Sequence, residues 1–315
     1  MLSYLARRIV WALIVLASVA TLTFVIIYVL PADPARLLAG GVRARPDDVA
    51  RISAALGLDR PFHEQFIHYV GRIVTGDFGF SFSNRRPVLD LILGRLPATI
   101  ELTGAAIALE IVIGVPLGVL AATRRGRLPD RLAAMLSSVS VAAPPFWVGY
   151  VLLLVLAFIP AISGFSLFPL GGYEPFDPAH LFLPALTLAL SGIGYYTLLM
   201  RASLLEELPR MYIVTAQSKG LSERRILWRH AVRNAVGPVV TQLGLDMGLF
   251  LGGVVVIEQV FSWPGIGKLA VDAIRHLDIP VIIGTVLLGT LMIVTANLVV
   301  DLSYGVLDPR VRTHG

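Results

Sequence analysis

Two carboxylates stand in stretches that are otherwise apolar: Glu110, in AIALEIVIGVPLG, and Asp246, in TQLGLDMGLF. An acidic group at the centre of a bilayer costs about 2.5–3.5 kcal/mol on insertion scales, so such a residue is expected to face a polar path, a polar partner or a subunit contact. The chemistry that suits it is reception of a solute's ammonium end, or relay of a proton. Glu101 and Asp301 lie nearer the ends of their apolar stretches, where helix-end hydrogen bonds are the expectation. A second set lies between Arg201 and Arg233. Tyr212-Ile-Val-Thr-Ala-Gln-Ser-Lys219 reads as a helix, Gly220 can end it in the left-handed conformation, and Ser222 can cap the next. Arg225, Arg229 and Arg233 then fall four apart on one face, with Ile226, Leu227 and Ala231 on another. Two short helices with a glycine corner make a basic knob. Its pattern suits either a protein partner or anionic lipid heads.

Bond-making chemistry is poorly provided for. Cysteine is absent, which removes disulfides, thiolate metal sites and a thiol nucleophile. His63 and His68 have no third ligand at metal spacing, so a surface or packing role is expected and no metal site is assigned. HExxH and GxSxG do not occur. Nor does the phosphate cradle GxxxxGK[ST]: Gly267-Lys268 is followed by Leu269, and Lys219 precedes Gly220.

The elements that must carry these residues follow from composition. Of 315 residues 56% are hydrophobic and 15% charged, too much oil and too little charge to wrap a water-facing surface around a core. That excludes a soluble enzyme, a disordered chain and a nucleic-acid-binding module. A helix needs about 20 apolar residues to cross about 30 Å of hydrocarbon. Six stretches qualify: Ile9–Leu30, Ala98–Ala122, Leu132–Ile159, Leu181–Met200, Val236–Ile257 and Pro280–Val300. The fold class is an all-α integral membrane protein of six transmembrane helices. With the N-terminus inside, 15 of the 26 Lys and Arg residues fall on the inner side, and the short outer loops hold only Lys268 and Arg275. Both termini are therefore expected in the cytoplasm. The first stretch is too long for a signal peptide and stays as a helix.

Residues 1–30 are the inner terminus and first helix, 31–97 an outer segment, 98–307 the core with the knob at 201–235, and 308–315 an inner tail. The outer segment reads as two short helices, the first opened by Asp47-Asp48 and closed by Gly57, the second marked by Phe62, Phe66, Ile67, Val70, Ile73 and Val74 at helical spacing, followed by an extended GDFGFSFS. Pro116, Pro144, Pro145, Pro184 and Pro238 interrupt the spans, and Gly244, Gly248, Gly252 and Gly253 form a small-residue stripe. Trp11, Trp147, Tyr195, Tyr196 and Tyr304 read as interfacial anchors.

Thr215-Ala-Gln-Ser-Lys-Gly-Leu221, followed by Arg229-His-Ala-Val-Arg-Asn-Ala235 and Pro238, resembles the "EAA" loop of ABC importer permeases, in the form found in dipeptide and oligopeptide permeases. Further segments are similar in the same order: Leu30-Pro-Ala-Asp-Pro34, Gly76-Asp-Phe-Gly79, Glu258-Gln-Val-Phe-Ser-Trp-Pro-Gly-Ile-Gly267, and Asp301, Tyr304 and Asp308-Pro-Arg310. Val214, Gln217 and Ser218 depart from the family's more usual Arg, Arg and Ala, which alters the knob's charge. The chain looks like a B-type permease subunit of a bacterial inner-membrane importer with the type I permease fold.

The resemblance implies a chain that performs no catalysis and holds no cofactor, with ATP and magnesium reaching the complex through two partner ATPase subunits. It implies a second, homologous permease subunit in a heterodimer, and an extracytoplasmic binding protein that delivers di- or oligopeptides. Tyr212, Thr215, Ala216, Lys219, Gly220, Leu221, Arg225 and Arg229 would couple to the ATPase. Glu258, Phe261, Trp263, Pro264 and Gly265 would form part of the outer mouth, and Glu110 and Asp246 would lie on the translocation path. A proton-driven secondary transporter using Glu110 and Asp246 is the alternative, but it calls for internal repeats, which the sequence does not display.

Overall fold

The computed structural model describes residues 2–30, 33–39, 41, 44–165, 167–251 and 254–307, with side chains for all of these except 2–5, 55, 56, 251 and 300–307. The expectations placed on Gly252, Gly253, the side chains of Asp301 and Tyr304, and Asp308-Pro-Arg310 lie outside the described residues. The described residues are helical, with no strand beyond one isolated bridge between Phe80 and Pro87. Five helical stretches among them are long and apolar enough to cross a membrane: Ala6–Val29, Val88–Thr123, Pro145–Ile162, Pro178–Glu207 and Ile279–Val299. The chain divides into two compact units, one of residues 1–99, 251–255 and 264–315, the other of residues 100–250 and 256–263.

In the first unit, α1 (Leu2–Phe24) continues through a π-helical turn at Val25–Val29. Three short helices follow: α2 (Pro34–Leu38), α3 (Pro46–Leu56) and α4 (Phe62–Val74). Asp33 caps α2 by accepting the Arg36 N–H. α3 starts at Pro46 with Asp47 and Asp48 in its first turn and ends at Gly57, φ +62°, as the sequence predicts. The periodic aromatics of α4 then have a surface to meet. Phe24 of α1 and Tyr28 of the π-helical turn pack with Phe66 and Tyr69, ring centroids 5.2–5.4 Å apart, and Thr23 shares a 2.8 Å hydrogen bond with the Tyr69 hydroxyl. Before α5 (Val88–Leu109) the expected extended GDFGFSFS is corrected: Asp77 accepts the Gly79 N–H, Gly79 is left-handed at φ +87°, and residues 82–84 form a turn. Asp278, just ahead of α16 (Ile279–Leu307), fixes the 81–84 turn by accepting the Ser81 hydroxyl at 2.6 Å and the Ser83 N–H at 3.1 Å.

The second unit is built around α10 (Pro178–Glu207). Against it lie α6 (Val115–Thr123), reached from α5 through a π-helical turn at Glu110–Gly114, then α7 (Leu128–Ala142) and α8 (Pro145–Leu152), which runs on through Leu153–Phe158 into α9 (Ile159–Ile162). Gly118 makes the α6 contact possible: a Cβ there would stand 2.7 Å from both the Met200 Cβ and the Thr197 carbonyl oxygen.

The third predicted span, Leu132–Ile159, is corrected: it is two helices parted at Ala143 and Pro144, both extended. Each of these residues precedes a proline, whose ring drives its predecessor out of the helical region. Pro116 and Pro184, by contrast, sit within continuous helix. The predicted fifth span is helical over α14 (Gly237–Leu251) and, beyond residues 252 and 253, over α15 (Val255–Val260).

Candidate functional site

α10 stops at Glu207 because Pro209 follows, and Glu207 organises the turn. Its Oε2 accepts the Tyr212 hydroxyl at 2.6 Å and its Oε1 lies 3.0 Å from the Arg210 Nε. The next helix, α11 (Met211–Ser218), buries Ile213 and Ala216 and exposes Met211, Val214, Thr215 and Lys219. Its C-terminus is closed by two backbone bonds, Gly220 N–H to the Gln217 carbonyl at 2.9 Å and Leu221 N–H to the Ala216 carbonyl at 3.3 Å. That pairing requires a left-handed residue between them, and Gly220 supplies it at φ +72°. A Cβ on Gly220 would meet nothing within 4 Å, so the chain itself asks for glycine by backbone conformation and not by space.

Ser222 stands at the N-cap of the second helix, although its side chain makes no capping bond. This helix runs through α12 (Glu223–Arg225), a π-helical stretch at Ile226–Ala231 and α13 (Val232–Ala235). Ile226, Ala231 and Ala235 are buried, and Leu227 partly so. They share one core with Ile213 and Ala216 of α11, Val119 and Ala122 of α6, Tyr196, Met200 and Leu204 of α10, and Val239 of α14. The predicted basic face is real: Arg225, Arg229 and Arg233 are all exposed. Trp228, 51% exposed, lies among them and was not singled out from the sequence, although an aromatic between two arginine pairs is itself a partner-surface signal. Aromatic, methionine and arginine side chains together mark protein-contact surfaces, while a lipid-facing loop needs only charge.

Beside the knob, Arg201, near the C-terminal end of α10, grips Asp130 of α7. Its Nε lies 2.5 Å from Oδ1 and its Nη2 3.1 Å from Oδ2, while the Gly126 N–H donates to Oδ2 at 2.8 Å. The arginine bonds first, and the backbone bond second, hold this carboxyl well below the usual range, at about 2.

The two acids of the apolar stretches separate. Asp246 is partly exposed and satisfied, accepting the Tyr196 hydroxyl at 2.8 Å and the Gln242 amide at 2.9 Å. Glu110 is fully buried. Tyr196, read as an interfacial anchor, is corrected: it is buried because its hydroxyl finds Asp246 fifty residues away, a pairing without local signal. Tyr195, Trp11 and Trp147 remain exposed.

Within the second unit the 258–263 segment fastens a loop. Glu258, Phe261 and Trp263 are buried; the Phe261 carbonyl accepts the Gly172 N–H at 3.0 Å, and Trp263 meets Tyr173 edge to face at 4.7 Å. Glu101 takes the Tyr173 hydroxyl at 3.1 Å and the Phe176 N–H at 2.9 Å. In the first unit, Gly265 is buried and Pro264 partly so. Among the described residues, His63 and His68 join no metal-like group. Glu174, Asp177 and His180 do gather their donor atoms within 4.8 Å of one another, but Asp177 already serves as N-cap of α10, accepting the His180 N–H.

A family model described as "Binding-protein-dependent transport system inner membrane component" matches residues 114–313, and the corresponding N-terminal model matches residues 1–103. The dipeptide transport system permease protein DppB of Escherichia coli (strain K12) is 36% identical over 336 aligned residues, covering 99% of each chain. The glutathione transport system permease protein GsiC of the same strain is 37% identical over 316, again covering 99% of each.

Proposed function

Because the chain belongs to the family of binding-protein-dependent transport system inner membrane components, we propose that it is one of two homologous permease subunits of an ATP-driven importer of small peptides. Its relatives' names, dipeptide and glutathione permeases, support that substrate class. The chain supplies no nucleotide chemistry, lacking any GxxxxGK[ST] sequence. Two partner ATPase subunits bind ATP and magnesium, and an extracytoplasmic binding protein delivers the peptide. The inner-side excess of Lys and Arg supports a plasma-membrane topology with both termini cytoplasmic.

The observation that carries the reading is the two-faced knob: an exposed basic and aromatic surface on helices whose inner face is continuous with the core of α6, α10 and α14. An ATPase groove closing on Thr215, Lys219, Gly220, Arg225 and Arg229 would swing the inner ends of those helices, shifting the bundle between two access states. Ala216 is buried, and Tyr212 and Leu221 partly so; these three hold the knob's shape. Asp246, partly open, is assigned to the path as the receiver of the peptide ammonium. Phe261 and Trp263 serve the outer side by holding the loop at Gly172 and Tyr173, with Glu258, Pro264 and Gly265 in the same segment.

Absence of cysteine makes the test direct. Single cysteines at Thr215, Trp228 and Arg229, in the transporter assembled with its partners, should cross-link to an ATPase subunit, and nucleotide should change the yield. Cross-links to lipid-reactive probes alone, with no ATPase adduct at any of the three, would remove the reading.

A further inference from the structure

Glu110 opens the π-helical turn inside a helix that is otherwise α from Val88 to Thr123. Such turns insert an extra residue into the helical ladder and recur at functional positions. Here the turn brings the carboxyl against α10 at Gly192. A Cβ on Gly192 would stand 1.9 Å from Oε1 and 2.3 Å from Cδ, so the notch exists only because residue 192 has no side chain. Glu110 is 0% exposed, and neither carboxyl oxygen has a hydrogen-bond partner. Lipid or a neighbouring subunit can only deepen that burial.

The groups around it offer no countercharge. Among the described residues no arginine, lysine or histidine lies within ion-pair distance of Glu110. The titratable groups that feel its charge are Tyr196 on α10 and Asp246 on α14. These two are bonded to each other, and the second would carry the same sign. An isolated ionised carboxylate in such a setting is far costlier than a neutral acid with an unmet hydroxyl.

We infer that Glu110 is an intramembrane proton site: it holds a hydrogen ion as the neutral carboxylic acid while the notch at Gly192 is closed, and exchanges it only when the Glu110 turn and α10 part. The inference is independent of the knob and its partners.

The test is infrared spectroscopy of the full chain in lipid nanodiscs. Wild type should display the carbonyl stretch of a buried protonated carboxyl at neutral pH. That band should vanish in Glu110→Gln and persist in Asp246→Asn. Should Glu110→Gln fail to assemble, Gly192→Ala pushes a methyl into the carboxyl and should displace the band of the wild-type glutamate. A wild-type spectrum without the band at neutral pH, a band that survives Glu110→Gln, or one unmoved by Gly192→Ala overturns the inference.

Discussion

Substitution at Gly220 separates two demands that one glycine can meet. At φ +72° any residue with a Cβ pays about 1–2 kcal/mol for the left-handed backbone. That is a factor of about 5–30 in the population of the intact corner. Asparagine pays less, since its side chain tolerates the conformation. Within the chain there is no second penalty, because a Cβ meets nothing within 4 Å. Considered alone, then, Gly220→Ala and Gly220→Trp carry the same strain, and both should insert and accumulate in the membrane. A partner closing on the corner breaks that equality: an indole cannot enter a surface packed at interior density. The expected order of ATP-driven peptide uptake is wild type, Gly220→Asn, then Gly220→Ala reduced by no more than about thirtyfold, with Gly220→Trp abolished at normal membrane abundance. The assay is uptake into proteoliposomes with internal ATP, alongside co-purification of the ATPase. Equal uptake by Gly220→Trp and Gly220→Ala would show that nothing packs on the corner, and the knob would lose its assigned role.

Two further outcomes test other parts of the unit. Asp130→Asn removes the charge that Arg201 grips. Because that carboxyl is held at about 2 in the fold, against 3.8 ordinarily, its contribution is complete above 3.8 and is lost only as pH falls toward 2. The variant should therefore melt below wild type by a constant interval from pH 5 to pH 9, read by tryptophan fluorescence, and an interval that changes across that window would refute the pairing. Asp246→Asn keeps an acceptor for the Tyr196 hydroxyl but forfeits the charge. A charge-assisted hydrogen bond contributes about 1.5–3 kcal/mol, so the transport KM for peptide should rise about 10- to 100-fold with protein abundance unchanged; an unaltered KM would place the peptide ammonium elsewhere.

What the sequence disclosed divides by range. Gly57 and Gly220 were readable as helix stops because a left-handed C-terminus is a local requirement that glycine alone meets cheaply, and both are left-handed. The apolar spacing of Phe62, Phe66, Val70 and Ile73 gave α4 for the same reason. The break at Ala143-Pro144 was half legible: the prolines were visible, but whether they kink a helix or part it depends on each constraining its predecessor in turn. The π-helical turns at Glu110 and Ile226 had no signature, since one extra residue in a ladder leaves an apolar stretch equally apolar. Tyr196, Asp246 and the notch at Gly192 were beyond reach, because each joins helices distant in sequence. Phe261 and Trp263, placed at the outer mouth by resemblance alone, are buried against Gly172 and Tyr173, which come from a loop with no pattern of its own.

The choice between a protein-coupled knob and a lipid-held basic loop turns on its inner face. Attraction of each Lys or Arg to an anionic leaflet is worth about 1 kcal/mol and requires nothing of the side chains beneath. Here the side chains beneath are buried to within a few per cent: Ile213 and Ile226 are 1% and 4% exposed, and Ala231 and Ala235 are sealed. Burying each isoleucine fully stabilises the contact by roughly 1.5–3 kcal/mol. The two together exceed thermal energy several times over before the alanines are counted. The knob must therefore move as one body with the ends of α6, α10 and α14 that share its core. A loop adhering to lipid gains nothing from that rigidity, whereas a lever fails without it. The buried face of the basic segment, more than its charge, is what supports the coupling role proposed for it.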